Sequence, residues 1–188
     1  MAQLAQTFHT ERLKLRPYEL SDLDDFARIY ERDEVSRYLY WDTRSKAESL
    51  AVLQRHITRP PEIIDDNVIP VAVVLRESNR VIGDFILRWA ENAHRQGEIG
   101  GSLHPEYQGR GYASEVYREL LTIGFTTFSL HRIVGRCDAR NAASVRSLQK
   151  VGMKEEAHLV ENEFVKGEWT DEIIMAIRKS EWQRQHAS

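Results

Sequence analysis

The stretch best suited to chemistry is Gln108-Gly109-Arg110-Gly111-Tyr112-Ala113-Ser114, placed just ahead of the longest amphipathic segment in the chain. Small residues at a helix start leave several backbone N–H groups unpaired at the positive end of the helix dipole. Such a place binds anions, phosphates above all. Gly109 and Gly111 let the backbone come close to a ligand, and Arg110 adds a mobile positive charge. A plain turn into a helix would use the same glycines, so context has to decide. A P-loop requires Lys-Ser/Thr after its second glycine, where this chain has Tyr112 and Ala113. A dinucleotide fingerprint requires a third glycine where Ser114 stands, and the upstream strands read as hairpins, not as a β-α-β unit.

Other chemistries find little support. The 7 histidines are scattered, and none forms H-x-x-x-H or pairs with a cysteine, which argues against a metal site. Cys137 is the single cysteine, so no intrachain disulfide can form, and its apolar alternating surroundings favour a buried, inert thiol. Gly-Gly-Ser-Leu-His at 100–104 lacks the last glycine of a hydrolase elbow. A formal net charge of −3 gives no general pull toward nucleic acid or anionic membrane. The N-terminal MAQLAQTFHTER has neither a basic nor an apolar leader region, and no uncharged run is long enough to span a bilayer. A cytoplasmic location is expected.

The elements that must position the glycine loop are readable from periodicity. With 188 residues, 41% hydrophobic and 29% charged, the chain fits one domain over 1–188, its core at about 10–178. RLKLRP alternates and reads as a strand; a helix follows, with Ser21 as its expected N-cap and Leu23, Phe26, Ile29 and Tyr30 at helical spacing. Ser45 and Glu48 form a capping box for a second helix with Leu50, Leu53 and Ile57 on one stripe, ended by Pro60 and Pro61. Residues 71–90 read as a hairpin turning at ESNR. GEIGGSLH follows the hairpin as the fourth strand of the chain, with Glu98, Gly100 and Ser102 on one face and Ile99, Gly101 and Leu103 on the other. Its paired glycines predict a bulge, a splay or a close backbone approach. A helix over 112–128, the strand RIVGRCDA, a helix capped by Asn141 and ended by Gly152, and a hairpin turning near Lys166-Gly167 complete the order. The expected class is a mixed α/β (α+β) domain.

One pattern fits the loop and its strand-loop-helix context together. Gln108-Gly109-Arg110-Gly111-Tyr112-Ala113 matches Q/R-x-x-G-x-G/A, the pyrophosphate-binding signature of the GNAT acyltransferases. TERLKLRPYELSD, RVIGDF, GEIGGSLHPEYQGRGYASE and RIVGRCDARNAASVRSLQKVGM occur in the same order as in that superfamily, and the chain resembles its RimJ/RimL branch of protein N-terminal acetyltransferases. The resemblance implies the GNAT fold, a mostly antiparallel sheet splayed between the fourth and fifth strands. It also implies acetyl-CoA as co-substrate, no metal, and an amine acceptor, either a peptide or protein N-terminus or a small molecule, in a monomer or homodimer.

Roles follow from the same resemblance. Amides from Gly109 to Ala113, with Gln108 and Ser114 beside them, would hold the pyrophosphate, Leu103 main-chain groups would pair with the pantetheine arm, and Asn141 would contact the cofactor. The basic residues Arg132, Arg136, Arg140, Arg146 and Lys150 would serve its phosphates in preference to RNA. An amine must be neutral to attack a thioester, so a base is needed, and Glu98 matches that position, acting directly or through water. Where many relatives carry a tyrosine to protonate the leaving thiolate this chain has Leu148, and Ser144 is the alternative. At neutral pH an α-amine with a pKa of about 8 is roughly a tenth neutral, lysine at about 10.4 under roughly one part in a thousand, which favours the former. Gly101 and Ser102 replace two aromatics frequent in relatives and leave room for a different acceptor. Tyr38, Tyr40 and Trp41 are expected along the acceptor cleft. The rival expectation is a non-catalytic acyl-CoA sensor that keeps the loop and has lost turnover.

Overall fold

The computed structural model describes residues 7–58, 66–90 and 94–186. The N-terminal half holds β1 (Phe8–His9), β2 (Leu13–Arg16), α1 (Leu23–Tyr30), α2 (Asp33–Ser36) and α3 (Lys46–Thr58). A meander follows: β3 (Asp66–Leu75), β4 (Arg80–Ala90) and β5 (Gln96–Leu103). The remainder comprises α4 (Tyr112–Thr126), β6 (Arg132–Asp138), α5 (Ala142–Gln149), β7 (Lys154–Val165), β8 (Glu168–Arg178) and α6 (Lys179–His186). The strands form one sheet in the order β1-β2-β3-β4-β5-β6-β8-β7. Every neighbouring pair is antiparallel except β5 and β6. No helix among the described residues is long and apolar enough to cross a membrane.

Strand alternation buries both faces of the sheet. Val71, Val73, Phe85, Leu87, Ile99 and Leu103 pack with Val116, Leu120 and Ile123 of α4 on one side. Ala72, Val74 and Val81 meet Phe26, Ile29 and Tyr30 of α1 and Leu53 of α3 on the other. Glu98, Gly100 and Ser102 therefore face the α1–α3 layer, while Ile99, Gly101 and Leu103 face α4.

Local signals decide several boundaries. The Ser45 hydroxyl and the Glu48 carboxylate cap α3 reciprocally, Glu48 accepting the Ser45 N–H at 2.8 Å. Lys166 and Gly167 both have positive φ, the dihedrals that a two-residue hairpin turn demands. Gly152 ends α5's turn with φ +86°. Ser21 does not cap α1. A short 3-10 turn over Leu20–Asp22 precedes the helix and contains Ser21, and Asp22 takes the Glu19 N–H at 2.8 Å in that turn's capping box. The irregularity anticipated at the paired glycines as a bulge lies instead between Val73 and Val74. β1, α2 and α6 are elements that periodicity did not announce. Pro60 and Pro61 lie outside the described residues.

The splay falls where it was expected. β5 and β6 pair only from Gln96↔Arg132 to Glu98↔Val134. Beyond Glu98 the two strands part, and β5 continues to Leu103 on β4 alone.

Candidate active site

The loop before α4 has the geometry that its sequence implied. Gly109 and Gly111 adopt φ of +74° and +83°, a region that side chains disfavour. A Cβ on Gly109 would have no neighbour within 4 Å, so the backbone there faces open space. α4 has no side-chain cap, and no acceptor among the described residues takes the amide hydrogens of Gly109 through Ala113. The N-terminus of a 15-residue helix is thus left with its donors free.

A brace from the far end of the chain holds the loop. Glu115, in the first turn of α4, accepts from the Arg12 N–H at 2.9 Å and from Arg12 Nε at 2.7 Å, and also from the Thr10 hydroxyl. Arg12 in turn donates to the Arg110 carbonyl at 3.0 Å and lies over the Tyr112 ring at 4.4 Å. Burial pushes the Glu115 carboxyl up, but Thr10 and Arg12 outweigh it and hold the group below the usual carboxylate range. Arg12 was passed over in the sequence because nothing local links it to a motif 98 residues away.

The splay opens one cleft of about 370 Å³ that reaches both sides of the sheet. At one end stand Glu34, Val35, Tyr38 and Leu39, and at the other Gly109, Gly111, Asn141 and Ser144. His104 N–H bonds the Ile82 carbonyl at 2.9 Å. By antiparallel alternation, the amides of Ile99, Gly101 and Leu103 point away from β4; that of Ile99 serves the last rung to β6, and those of Gly101 and Leu103 point into the opening. An extended amide-bearing arm fits such an edge, with its phosphates at the helix start; the residues present suit acetyl-CoA.

Each expected residue can be placed. Leu103, Gln108, Gly109, Gly111, Tyr112, Ala113, Ser114, Asn141, Ser144, Tyr38, Gly101 and Ser102 all line the cleft. Gln108 uses its side chain to donate to the Leu103 carbonyl at 2.9 Å, clamping loop to strand. Asn141 accepts the Ser144 N–H at 3.1 Å and caps α5 as anticipated. Arg110 and Trp41 lie off the cleft lining: Arg110 points outward, and Trp41 packs under Arg44 at 4.4 Å. Gly101 does not leave a hole. A Cβ there would sit 2.4 Å from Phe85 Cγ, because the Phe85 ring across the strand pair already covers it. The open glycine is Gly100, with nothing within 4 Å. The basic cluster divides: Arg132 pairs with Glu156, Arg136 with Glu172, and Arg140 with Asp138 and Glu168. Only Arg146 and Lys150 of that set line the cleft without a carboxylate partner among the described residues.

Glu98, two residues before Gly100 on β5, is not among the residues that line the cleft. Its Oε2 accepts from Arg88 at 2.8 Å and lies 3.8 Å from Arg136 Nε, which links it to the buried Glu172. Tyr117 went unnoticed in the sequence. It is almost wholly buried, packs edge-on against Phe85 at 5.3 Å, and lines the cleft beside Ser144 and Cys137. Burial drives its phenol up, with Cys137 adding to the effect and the Ser144 hydroxyl opposing it. The Cys137 thiol is pushed up to about 11 by burial, in keeping with an inert thiol.

Splay, free helix donors and a cleft that serves both faces define a coenzyme A-dependent acyltransferase. The chain belongs to the acetyltransferase (GNAT) domain family, whose model matches residues 12–154. It is 30% identical to YnaD of Bacillus subtilis (strain 168), itself an uncharacterised N-acetyltransferase, over 92% of this chain and 97% of that one. It is 28% identical to the spermidine N(1)-acetyltransferase of Vibrio cholerae over 91% of this chain and 95% of the relative. A GNAT-family acetyltransferase from Bacillus anthracis superposes with TM-score 0.82 at 24% identity, over 93% of this chain and 99% of the other. The V. cholerae spermidine N-acetyltransferase, solved with CoA and spermine, superposes with TM-score 0.76 at 26% identity, over 93% and 99%. YdaF of B. subtilis, provisionally named a ribosomal N-acetyltransferase, matches at 26% identity over 54% of this chain and 55% of its own. The protein is an N-acetyltransferase that moves an acetyl group from acetyl-CoA to an amine.

Proposed function

We propose that the acceptor is a small primary amine that attacks acetyl-CoA directly in a ternary complex. The observation that carries this reading is the continuity of the cleft from α2 to the starts of α4 and α5, which lets two substrates meet without a protein nucleophile. The amides of Gly109 to Ala113 hold the pyrophosphate, Arg146 and Lys150 supply charge nearby, and Leu103 pairs with the pantetheine arm. Glu98 accepts the ammonium proton through a bridging water. Ser144, backed by Tyr117, returns a proton to the departing thiolate. A small cationic acceptor is supported by Glu34 at the cleft mouth and by the named substrate of the spermidine acetyltransferases. A ribosomal-protein acceptor, as the RimJ/RimL resemblance implied, has weaker support: YdaF covers about half of the chain, and a structure provisionally named a ribosomal-protein-serine acetyltransferase, at 18% identity, shares the fold alone.

The test is CoA release with a panel of spermidine, simple monoamines and N-terminal tripeptides. Glu98→Gln is expected to lower turnover by ~10²–10⁴ while acetyl-CoA binding survives. Gly111→Asp is expected to abolish that binding, by placing a carboxylate among the phosphates. Tight binding with no turnover on any amine, unchanged by Glu98→Gln, would instead identify a sensor.

A further inference from the structure

A row of alternating charge crosses the sheet at the apex of the splay, on the face that carries Glu98. Arg88 on β4 donates to Glu98 Oε2 at 2.8 Å, and Arg136 on β6 lies 3.8 Å from the same oxygen through Nε. Arg136 Nη1 then donates to the two carboxylate oxygens of Glu172 on β8 at 3.0 and 3.3 Å. The Asn162 side-chain amide on β7 completes the row, donating to Glu172 Oε2 at 3.0 Å. Five successive strands of the sheet thus contribute one member each. Arg136 stands two residues past Val134, the last β6 residue paired with β5, and is the only member of the row that lines the cleft.

Arg136 is shared unequally between its two carboxylates. Glu172 holds the guanidinium by hydrogen bonds, whereas Glu98 has the same cation beyond hydrogen-bond reach, close enough to feel its charge but not to be capped by it. Neighbouring groups do not compete for Arg136. Asp138, opposite Glu172 in the β6–β8 register, is taken by Arg140 at 2.7 Å, and Glu168 by the same residue at 2.8 Å. Tyr40, in the loop after α2, has its phenol pushed up by burial, with Glu163, Glu172 and Glu98 adding to the effect, so it faces the row as a neutral group. Glu172 is only 3% exposed, while Arg136 keeps 43% of its side chain in solvent. A carboxylate costs stability at such depth even when paired, and apolar side chains would join β6 to β8 at less cost.

We propose that Glu172 is a positioning residue for acetyl transfer: it holds Arg136 back from Glu98 and so keeps that carboxylate basic enough to take the ammonium proton. The inference rests on Glu98 as the base of the acetyl-transfer reading. No proton passes along the row; Glu172 works through charge and through the placement of one guanidinium. With Glu172 present, the cation on the cleft wall is balanced by a bonded partner. Without it, Arg136 would be uncompensated and able to close onto Glu98, where its hydrogen bonds would oppose the proton that the base must accept. Glu172 does not line the cleft, so it acts on the reaction through Arg136 alone.

The sign of the pH response is the test, because removing either partner should act oppositely on Glu98. The kcat for CoA release with the fastest amine of the panel is followed from about pH 4 to 9, and Tm is recorded for each variant. A carboxylate that is harder to protonate stays active to lower pH. Glu172→Gln unbalances Arg136, so the acid-side midpoint of kcat is expected to fall by about one pH unit. Its plateau should drop roughly threefold to tenfold, with the KM for acetyl-CoA unchanged. Arg136→Gln leaves two carboxylates without the cation between them, and the same midpoint is expected to rise. Glu172→Asp, which keeps the charge, should restore the wild-type midpoint, and adding Arg136→Gln to Glu172→Gln should recover most of the lost plateau. A pair that only braces β6 against β8 would lower Tm in both single variants and move neither midpoint; that result, or shifts of the same sign, overturns the inference. Should Glu172→Gln not fold, the direction of the Arg136→Gln midpoint decides alone. A slow Glu98→Gln beside unmoved midpoints leaves acetyl transfer standing, whereas wild-type turnover in Glu98→Gln overturns the base assignment itself.

Discussion

Two neighbouring glycines of β5 make a sharp test of how the cleft is built, because the same change should act oppositely at each. In Gly101→Ala the new methyl would lie 2.4 and 2.5 Å from Phe85 Cγ and Cδ1 and 2.6 Å from the Asp84 carbonyl oxygen. The first two contacts are with a packed ring and the third with backbone, so β4 and β5 must move apart. Overpacking of this kind costs about 1–3 kcal/mol, and the stiffer unfolded chain returns only about 0.4–1 kcal/mol. For a chain of this size, 1 kcal/mol shifts Tm by roughly 2–4 °C, so Gly101→Ala should melt lower, by up to roughly 10 °C. In Gly100→Ala the methyl meets nothing within 4 Å, so Tm should hold or rise slightly. That methyl enters the cleft instead, and kcat/KM for the acceptor should fall on the order of tenfold or more. Differential scanning calorimetry and CoA-release kinetics on the two variants measure both effects. Phe85→Leu combined with Gly101→Ala should recover part of the lost stability, as a double-mutant cycle would register. A stable Gly101→Ala together with a destabilised Gly100→Ala would refute the assignment of faces on β5.

The remaining expectations concern the brace and the thiol. Glu115→Gln should weaken acetyl-CoA binding roughly fivefold by calorimetry, a loss of about 1 kcal/mol once the partial exposure of Arg12 is discounted. Because the Glu115 carboxyl lies below its usual range in the fold, its stabilisation is fully present above about pH 4 and is lost as pH falls through the lower folded value. The stability gap between wild type and Glu115→Gln should therefore be widest near neutrality and close toward pH 2–3, as urea titrations across pH would reveal. Cys137, with its thiol pushed up to about 11, should react slowly with disulfide reagents at pH 7.5 and quicken only at strongly alkaline pH. Acetyl-CoA should protect it, since Cys137 lines the cleft.

What could be read from the sequence was local chemistry. The Ser45–Glu48 box, the Asn141 cap, the Lys166-Gly167 turn and the glycine loop are each settled within a few residues, the first two by side chains that satisfy neighbouring backbone and the others by glycines at positive φ. The capping of α1 was misassigned because a 3-10 turn over Leu20–Asp22, with its own capping box between Glu19 and Asp22, leads into the helix and takes in Ser21. The site's supports were illegible for a different reason. Arg12 meets Glu115 across 103 residues, Asp84 meets Tyr18 across 66, and Phe85 covers Gly101 from the next strand. Such partners are chosen by sheet register and helix docking, and no short pattern encodes them. The same cause misdirected the reading of Gly101 as vacated space, since a missing side chain says nothing about what leans over it.

The parting of β5 from β6 after the Glu98–Val134 pair leaves the amides of Gly101 and Leu103 unpaired by any strand, in the middle of the molecule. A protein normally hides or blunts such an edge. Here the co-substrate itself is the missing rung, so part of the protein's architecture is supplied and withdrawn with each turnover. Acetyl-CoA at a hundred times its Kd would raise stability by about 2.7 kcal/mol, and slowed hydrogen exchange at those amides would trace where that gain resides. Depletion of the cofactor would then do more than idle the enzyme: it would leave an open ladder ready to accept any extended chain.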